Sequence, residues 1–158
     1  MDIEKIIENL KKRGFEAVFA ATKADAVEKA LSFIPEGSSV SWGGSVSIEE
    51  SGLLARIKAG NYIKIDRDEA KSPEERFEIM RKALTADTFL TSFNAVSEDG
   101  VLFNIDGNGN RVAAITFGPK SVVALVGINK IVPAESDLET RALKIAAPLN
   151  AKRLKLSD

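Results

Sequence analysis

The run at residues 121–126, SVVALV, constrains this chain most. It is almost wholly apolar and too short for a helix, so it fits a strand covered on both faces, the kind found in parallel sheets whose crossovers are helices. The remaining sequence supplies those helices and further strands in alternation. Ile3, Ile6, Ile7 and Leu10 recur at helical spacing over 3–13, with Gly14 as a cap beyond the end. Residues 15–20 form a strand-length apolar run, and Thr22 with Asp25 resembles a capping box opening a second helix with Val27, Leu31 and Ile34 as its stripe. A strand is predicted at Ser39–Trp42. Ser47 and Glu50 read as the cap of a third helix carrying Leu53, Leu54 and Ile57, closed by Gly60.

Residues 62–65 read as the next strand, and Ser72-Pro73-Glu74-Glu75 opens a fourth helix with Phe77, Met80 and Leu84 on its face. Strands are expected at 88–92 and 101–105, a short helix at 111–117, and a last helix at 137–149 that Pro148 ends or kinks. The basic tail Lys152-Arg153-Leu154-Lys155 is expected to be solvated. This alternation specifies an open, mostly parallel α/β sheet flanked by helices, in one domain spanning 1–158. Ligands of such sheets bind beyond the carboxyl ends of the strands.

Composition narrows the chemistry. Lys and Arg number 22 against 23 acidic residues, so there is no single-sign field to draw in nucleic acid or an anionic membrane. No apolar run approaches a membrane span and the start has no signal-peptide pattern, so a cytoplasmic protein is expected. The chain has no cysteine and no histidine. Thiolate nucleophiles, zinc–thiolate sites, cysteine-ligated clusters and a Ser-His-Asp triad are therefore excluded within it, and no cofactor or metal is expected in this chain. Acid–base work falls to carboxylates, Lys, Tyr62 or hydroxyls.

Three places at strand ends carry the candidates. Residues 88–111, TFLTSFNAVSEDGVLFNIDGNGNR, crowd Ser92, Asn94, Glu98, Asp106, Asn108, Asn110 and Arg111 among glycines. Two turns around 98–100 and 106–109 explain the Asp-Gly pairs but do not require Asn94 or Asn110-Arg111. Gly43, Gly44 and Ser45 lie between a strand end and a helix start, where free N–H groups and close backbone approach favour a phosphate or carboxylate. A tight turn explains the same glycines equally well, and neither G-x-G-x-x-G nor G-x-x-x-x-G-K is present. Asp66, after the strand at 62–65, is a candidate base in a loop that otherwise reads as solvated. Trp42 reads as core packing beneath the glycine loop.

The segments VSWGGSVSIEESGLL, IDRDEAKSPEERFEIMRKAL, FLTSFNAVSEDGVLFNIDGNGNRVAAITFGPKSVVALVGINKIV and AAPLNAKRL resemble the LUD family, the lactate-utilisation domain. The pattern N-A-x-x-E-D-G followed by D-G-x-G-N-R-V-A is specific to it. The resemblance implies a Rossmann-like fold similar to ribose phosphate isomerase and the coenzyme A transferases. It also implies a role in oxidising L-lactate to pyruvate beside iron–sulfur partner proteins, with the glycine loop at Gly43, Gly44 and Ser45 taking phosphate or acyl anions. The resemblance implies that many single-domain relatives carry a cysteine-rich C-terminal tail, which these 158 residues do not contain. The related isomerases place acidic residues where this chain has Thr91-Ser92-Phe93-Asn94.

Two functions from different classes follow. In one, the chain is a non-catalytic or assembly subunit that binds a small anion, such as a hydroxy or keto acid, a phosphate or a coenzyme-A-like molecule, and docks on an iron–sulfur protein. In the other it is an autonomous isomerase or acyl transferase using Glu98, Asp106 or Asp66 as acid or base, with Arg111 gripping the substrate anion. A homodimer is among the expected assemblies.

Overall fold

The computed structural model describes residues 1–154, which fall into two compact units. One unit comprises Ala20–Ser92 and Asp106–Leu125, and the other Met1–Phe19, Phe93–Ile105 and the chain from Val126 onward. The helices, in chain order, are α1 Ile3–Lys12, α2 Lys23–Ser32, α3 Val46–Ser51, α4 Leu53–Ala59, α5 Pro73–Lys82, α6 Asn110–Thr116, α7 Leu138–Arg141 and α8 Ala147–Leu154. The strands are β1 Ser39–Trp42, β2 Ile63–Ile65, β3 Thr88–Thr91, β4 Ala95–Ser97, β5 Leu102–Phe103, β6 Ser121–Ala124 and β7 Ile131–Val132.

In the larger unit four strands pair in the order β2-β1-β3-β6, all parallel. This is the Rossmann-like α/β arrangement, and strand alternation explains its two cores. Val40, Trp42 and Leu90 point to one face and pack on Val27, Ile34, Ile48, Leu53 and Ile57 of the α2–α4 side. Phe89 and Ile65 point to the other and pack on Ala83, Ala86 and Ala114. Burying an aliphatic side chain such as Leu90, fully inaccessible here, contributes about 1.5–3 kcal/mol. The helix starts are fixed by local chemistry. The Thr22 hydroxyl accepts from Asp25 N–H at 3.1 Å while the Asp25 carboxylate accepts from Ala21 N–H at 3.1 Å. Ser72 accepts from Glu75 N–H at 3.1 Å, with Pro73 in the first position of α5.

The smaller unit holds a second sheet, β5-β4-β7, antiparallel between β4 and β5 and parallel between β4 and β7. Ala95, Val132 and Leu138 form its core.

Several sequence expectations change. Residues 15–20 form no strand: Phe15, Val18 and Phe19 are about half exposed, and apolar content cannot make a strand without a ladder to join. The third helix is two helices, because the chain turns left-handed at Gly52, with φ 88°. Its cap position is Ser45 rather than Ser47. The strand expected at 101–105 shortens to β5 and belongs to the second sheet, whose β4 and β7 are too short to show a period. The 121–126 strand is parallel as expected, but β6 is an edge with Ser121 and Val122 exposed. Phe77 is 45% exposed rather than buried.

Pro148 does not stop the last helix. A π turn at Ala142–Ala146 precedes α8, which continues to Leu154. Widening the turn just before a proline relieves the clash and the missing N–H that would otherwise break the helix. Lys152 and Arg153 are exposed as expected, and Lys155 lies outside the described residues.

Candidate functional site

All four strands of the larger sheet run the same way, so their carboxyl ends share one edge. Asp66 follows β2, Gly43 follows β1 and Ser92 follows β3, so the order β2-β1-β3 sets these three expected positions side by side.

Asp66 is 5% exposed. Its Oδ2 lies 2.7 Å from Lys58 Nζ and its Oδ1 accepts Asp68 N–H at 2.9 Å. The hydrogen bond to Asp66 holds the Lys58 ammonium above its ordinary pKa. Lys58 Nζ also stands 5.4 Å from the centre of the Trp42 ring, a cation–π distance. Trp42 is 4% exposed and packs in the core as expected.

Asp106 and Arg111 form the second cluster. Asp106 Oδ1 accepts from Arg111 Nε at 2.9 Å, and Oδ2 accepts from Val112 N–H at 2.6 Å. Both side chains are 11% exposed. Arg111 Nη1 donates to the Ser92 carbonyl at 2.9 Å. The arginine passes directly over Gly43, where an added Cβ would lie 3.0 Å from Arg111 Cδ. Glycine at 43 therefore makes room for Arg111. The guanidinium acts as a strut between the 106–112 loop and the end of β3. Asn108 is exposed, and Asn110 opens α6 behind Gly109, whose φ is 72°.

The Gly43-Gly44-Ser45 junction differs from both clusters. Ser45 occupies the cap position of α3, yet its side chain makes no capping bond. Among the described residues its hydroxyl is buried without a hydrogen-bond partner, and so is the Trp42 indole N–H three residues earlier. A buried polar group left unpaired costs about 1–3 kcal/mol, so such atoms require a reason.

Asn94 and Glu98 belong to the smaller unit. Asn94 Oδ1 accepts Ile105 N–H at 2.9 Å, pinning the 94–105 loop, and the Asn94 carbonyl accepts from Arg141 Nη1. Arg141 also donates to the Asn129 carbonyl. Glu98 lies in the turn joining β4 and β5, with its carboxylate 3.7 Å from the terminal amine of Met1 and its carbonyl accepting from Asn9 at 2.9 Å. Lys58 and Arg141 carry no sequence signal, since each sits among the polar positions of an ordinary helix. An open groove lined by Ile3, Ile7, Lys11, Val18 and Phe19 holds none of the expected site residues. Among the described residues no three acidic side chains group as a metal site. No described helix is long and apolar enough to cross a membrane.

The comparison with protein families decides the affiliation: residues 3–158 match the LUD domain. The chain belongs to the LUD domain family. No curated protein and no solved structure matches the sequence. The LUD domain is associated with lactate utilisation, and the match takes in both compact units, the carboxyl edge of the parallel sheet, and the Asn94–Arg111 stretch.

Proposed function

We propose that this LUD-domain chain serves L-lactate oxidation as a cytoplasmic, non-catalytic subunit, binding a small hydroxy or keto acid beside β1 and working with iron–sulfur partner proteins. The observation that carries this reading is the state of the three candidate carboxylates. Asp66 sits on Lys58 and Asp68 N–H, Asp106 on Arg111 and Val112 N–H, and Glu98 near the terminal amine. A general acid or base must be within reach of a substrate proton, and Asp66 and Asp106, each held in short structural pairs, are poorly placed for that task. The Ser45 hydroxyl, buried with no hydrogen-bond partner among the described residues, supports the Gly43-Gly44-Ser45 junction as the place where a ligand oxygen is received. Electron transfer from lactate would then run through the partner, because this chain has neither cysteine nor histidine to ligate a cluster in the usual way.

A thermal-shift panel of L-lactate, pyruvate, phosphate, sugar phosphates and coenzyme A tests the proposal. A ligand at 100 times its Kd stabilises by about 2.7 kcal/mol, which is readily resolved. Lactate or pyruvate is expected to raise the midpoint, with no turnover by the isolated chain. Catalysed isomerisation or acyl transfer by the isolated chain would replace this reading with the enzyme one.

A further inference from the structure

The β6 edge of the parallel sheet has an unusual lack of protection. Among the described residues its only strand neighbour is β3, and Ser121–Ala124 contains no charge and no proline, the devices that normally guard an exposed edge. The opposite edge differs: β2 exposes Lys64 at its centre. The Ser121 and Leu125 N–H groups donate to the Asp87 and Thr91 carbonyls. By the two-residue alternation of a strand, Val122 and Ala124 therefore direct their N–H and C=O groups away from β3. Val122 is 36% exposed, and Phe117 of the same unit is 88% exposed.

We propose that this edge pairs with the same edge of a second copy of the chain, antiparallel, extending the four-stranded sheet to eight. A two-fold axis normal to the sheet keeps each face continuous with the same face of the copy, and it places one residue opposite itself. Centred on Val123, the pairing sets Val122 opposite Ala124 of the copy and Ala124 opposite Val122. Both outward residues then exchange backbone hydrogen bonds, and apolar side chains oppose apolar ones on each face. The two Lys120 ammonium groups fall six positions apart along the paired strands. At 3.3 Å per residue this is about 20 Å, beyond the screening length at physiological salt, so no like charges meet. Moving the centre to Val122 would bring the lysines closer and leave Ala124 opposite Lys120. The register centred on Val123 is thus the self-complementary one.

Ala124→Pro tests it, because that N–H points outward and its removal leaves the bonds to β3 intact. Light scattering of the full chain over a hundredfold concentration range should show a dimer, and Ala124→Pro should raise its dissociation constant at least tenfold with an unchanged circular dichroism spectrum. Amide exchange of the unsubstituted chain gives the second readout, needed if Ala124→Pro fails to fold. The Val122 and Ala124 amides should become slower to exchange as concentration rises. A monomer throughout the range, a dimer indifferent to Ala124→Pro in a folded chain, or a dimer whose Val122 and Ala124 amides stay unprotected would each overturn the proposal.

Discussion

Two glycine-rich junctions of the parallel-sheet unit looked alike as sequence and differ as chemistry. In the loop ahead of α6, Asp106 receives both the Arg111 side chain and the Val112 N–H, so the loop is closed on itself. At the junction of β1 and α3, the Ser45 hydroxyl and the Trp42 indole N–H have no hydrogen-bond partner among the described residues. The difference teaches that glycine density does not identify a binding loop; what matters is whether the polar groups around it are already satisfied. Gly43 sharpens the point, since the side chain it admits belongs to Arg111.

The largest expected effect comes from breaking the closed loop. Asp106→Ala leaves Arg111 largely buried without its carboxylate and frees the Val112 N–H, and should destabilise by about 3–5 kcal/mol in urea unfolding. A loss under about 1 kcal/mol would mean that the loop is not held by this pair. Gly43→Ala forces Arg111 aside and should cost about 1–3 kcal/mol, the usual range for overpacking. Gly109→Ala meets nothing within 4 Å and carries only the left-handed backbone penalty of about 1–2 kcal/mol. If Asp106→Ala removes the extra cost of Gly43→Ala, steric contact with a fixed Arg111 is confirmed as its cause.

The far end of the same sheet offers a control by pH. Hydrogen bonds from Lys120 and from the Ser39 hydroxyl and N–H hold the Asp87 carboxyl well below the ordinary carboxylate range. A depressed folded pKa contributes stability that is complete above the unfolded value near 3.9 and is lost as pH falls below it toward the folded value. The melting temperature should therefore fall below about pH 4, and Asp87→Asn should flatten that part of the profile. The Ser45 junction should be affected by neither change. Opposite in sign, Ser45→Ala removes an unpaired hydroxyl and should leave stability of the ligand-free chain unchanged or raised, by up to about 1 kcal/mol once the packing lost is set against the relieved cost. A loss beyond about 1 kcal/mol would show that the hydroxyl already has a partner, and would erase the contrast between the two loops.

Much of the fold was legible because its signals are local. The strand Ser39–Trp42 and the Thr22 and Ser72 helix starts each follow from a few adjacent residues. What was hidden depends on partners distant in sequence. Residues 15–20 have the composition of a strand, and only the absence of a ladder denies them that role. The π turn that accommodates Pro148 leaves no mark in the sequence, and β4 and β7 are too short to display a period. At the site, the strand-end positions of Asp66, Gly43 and Ser92 could be read from the predicted strands they follow, while the order that sets them side by side could not. The partners could not, because Lys58 with Asp66 and Arg111 over Gly43 are set by packing alone.

The most direct test of the central claim is isothermal titration calorimetry of L-lactate and pyruvate into the unsubstituted chain and into Ser45→Ala. If the unsatisfied junction receives the ligand, one of the two acids binds the unsubstituted chain and Ser45→Ala weakens it about tenfold or more, the loss expected for about 1.4 kcal/mol. Equal affinity for both proteins would place the ligand elsewhere and contradict the account.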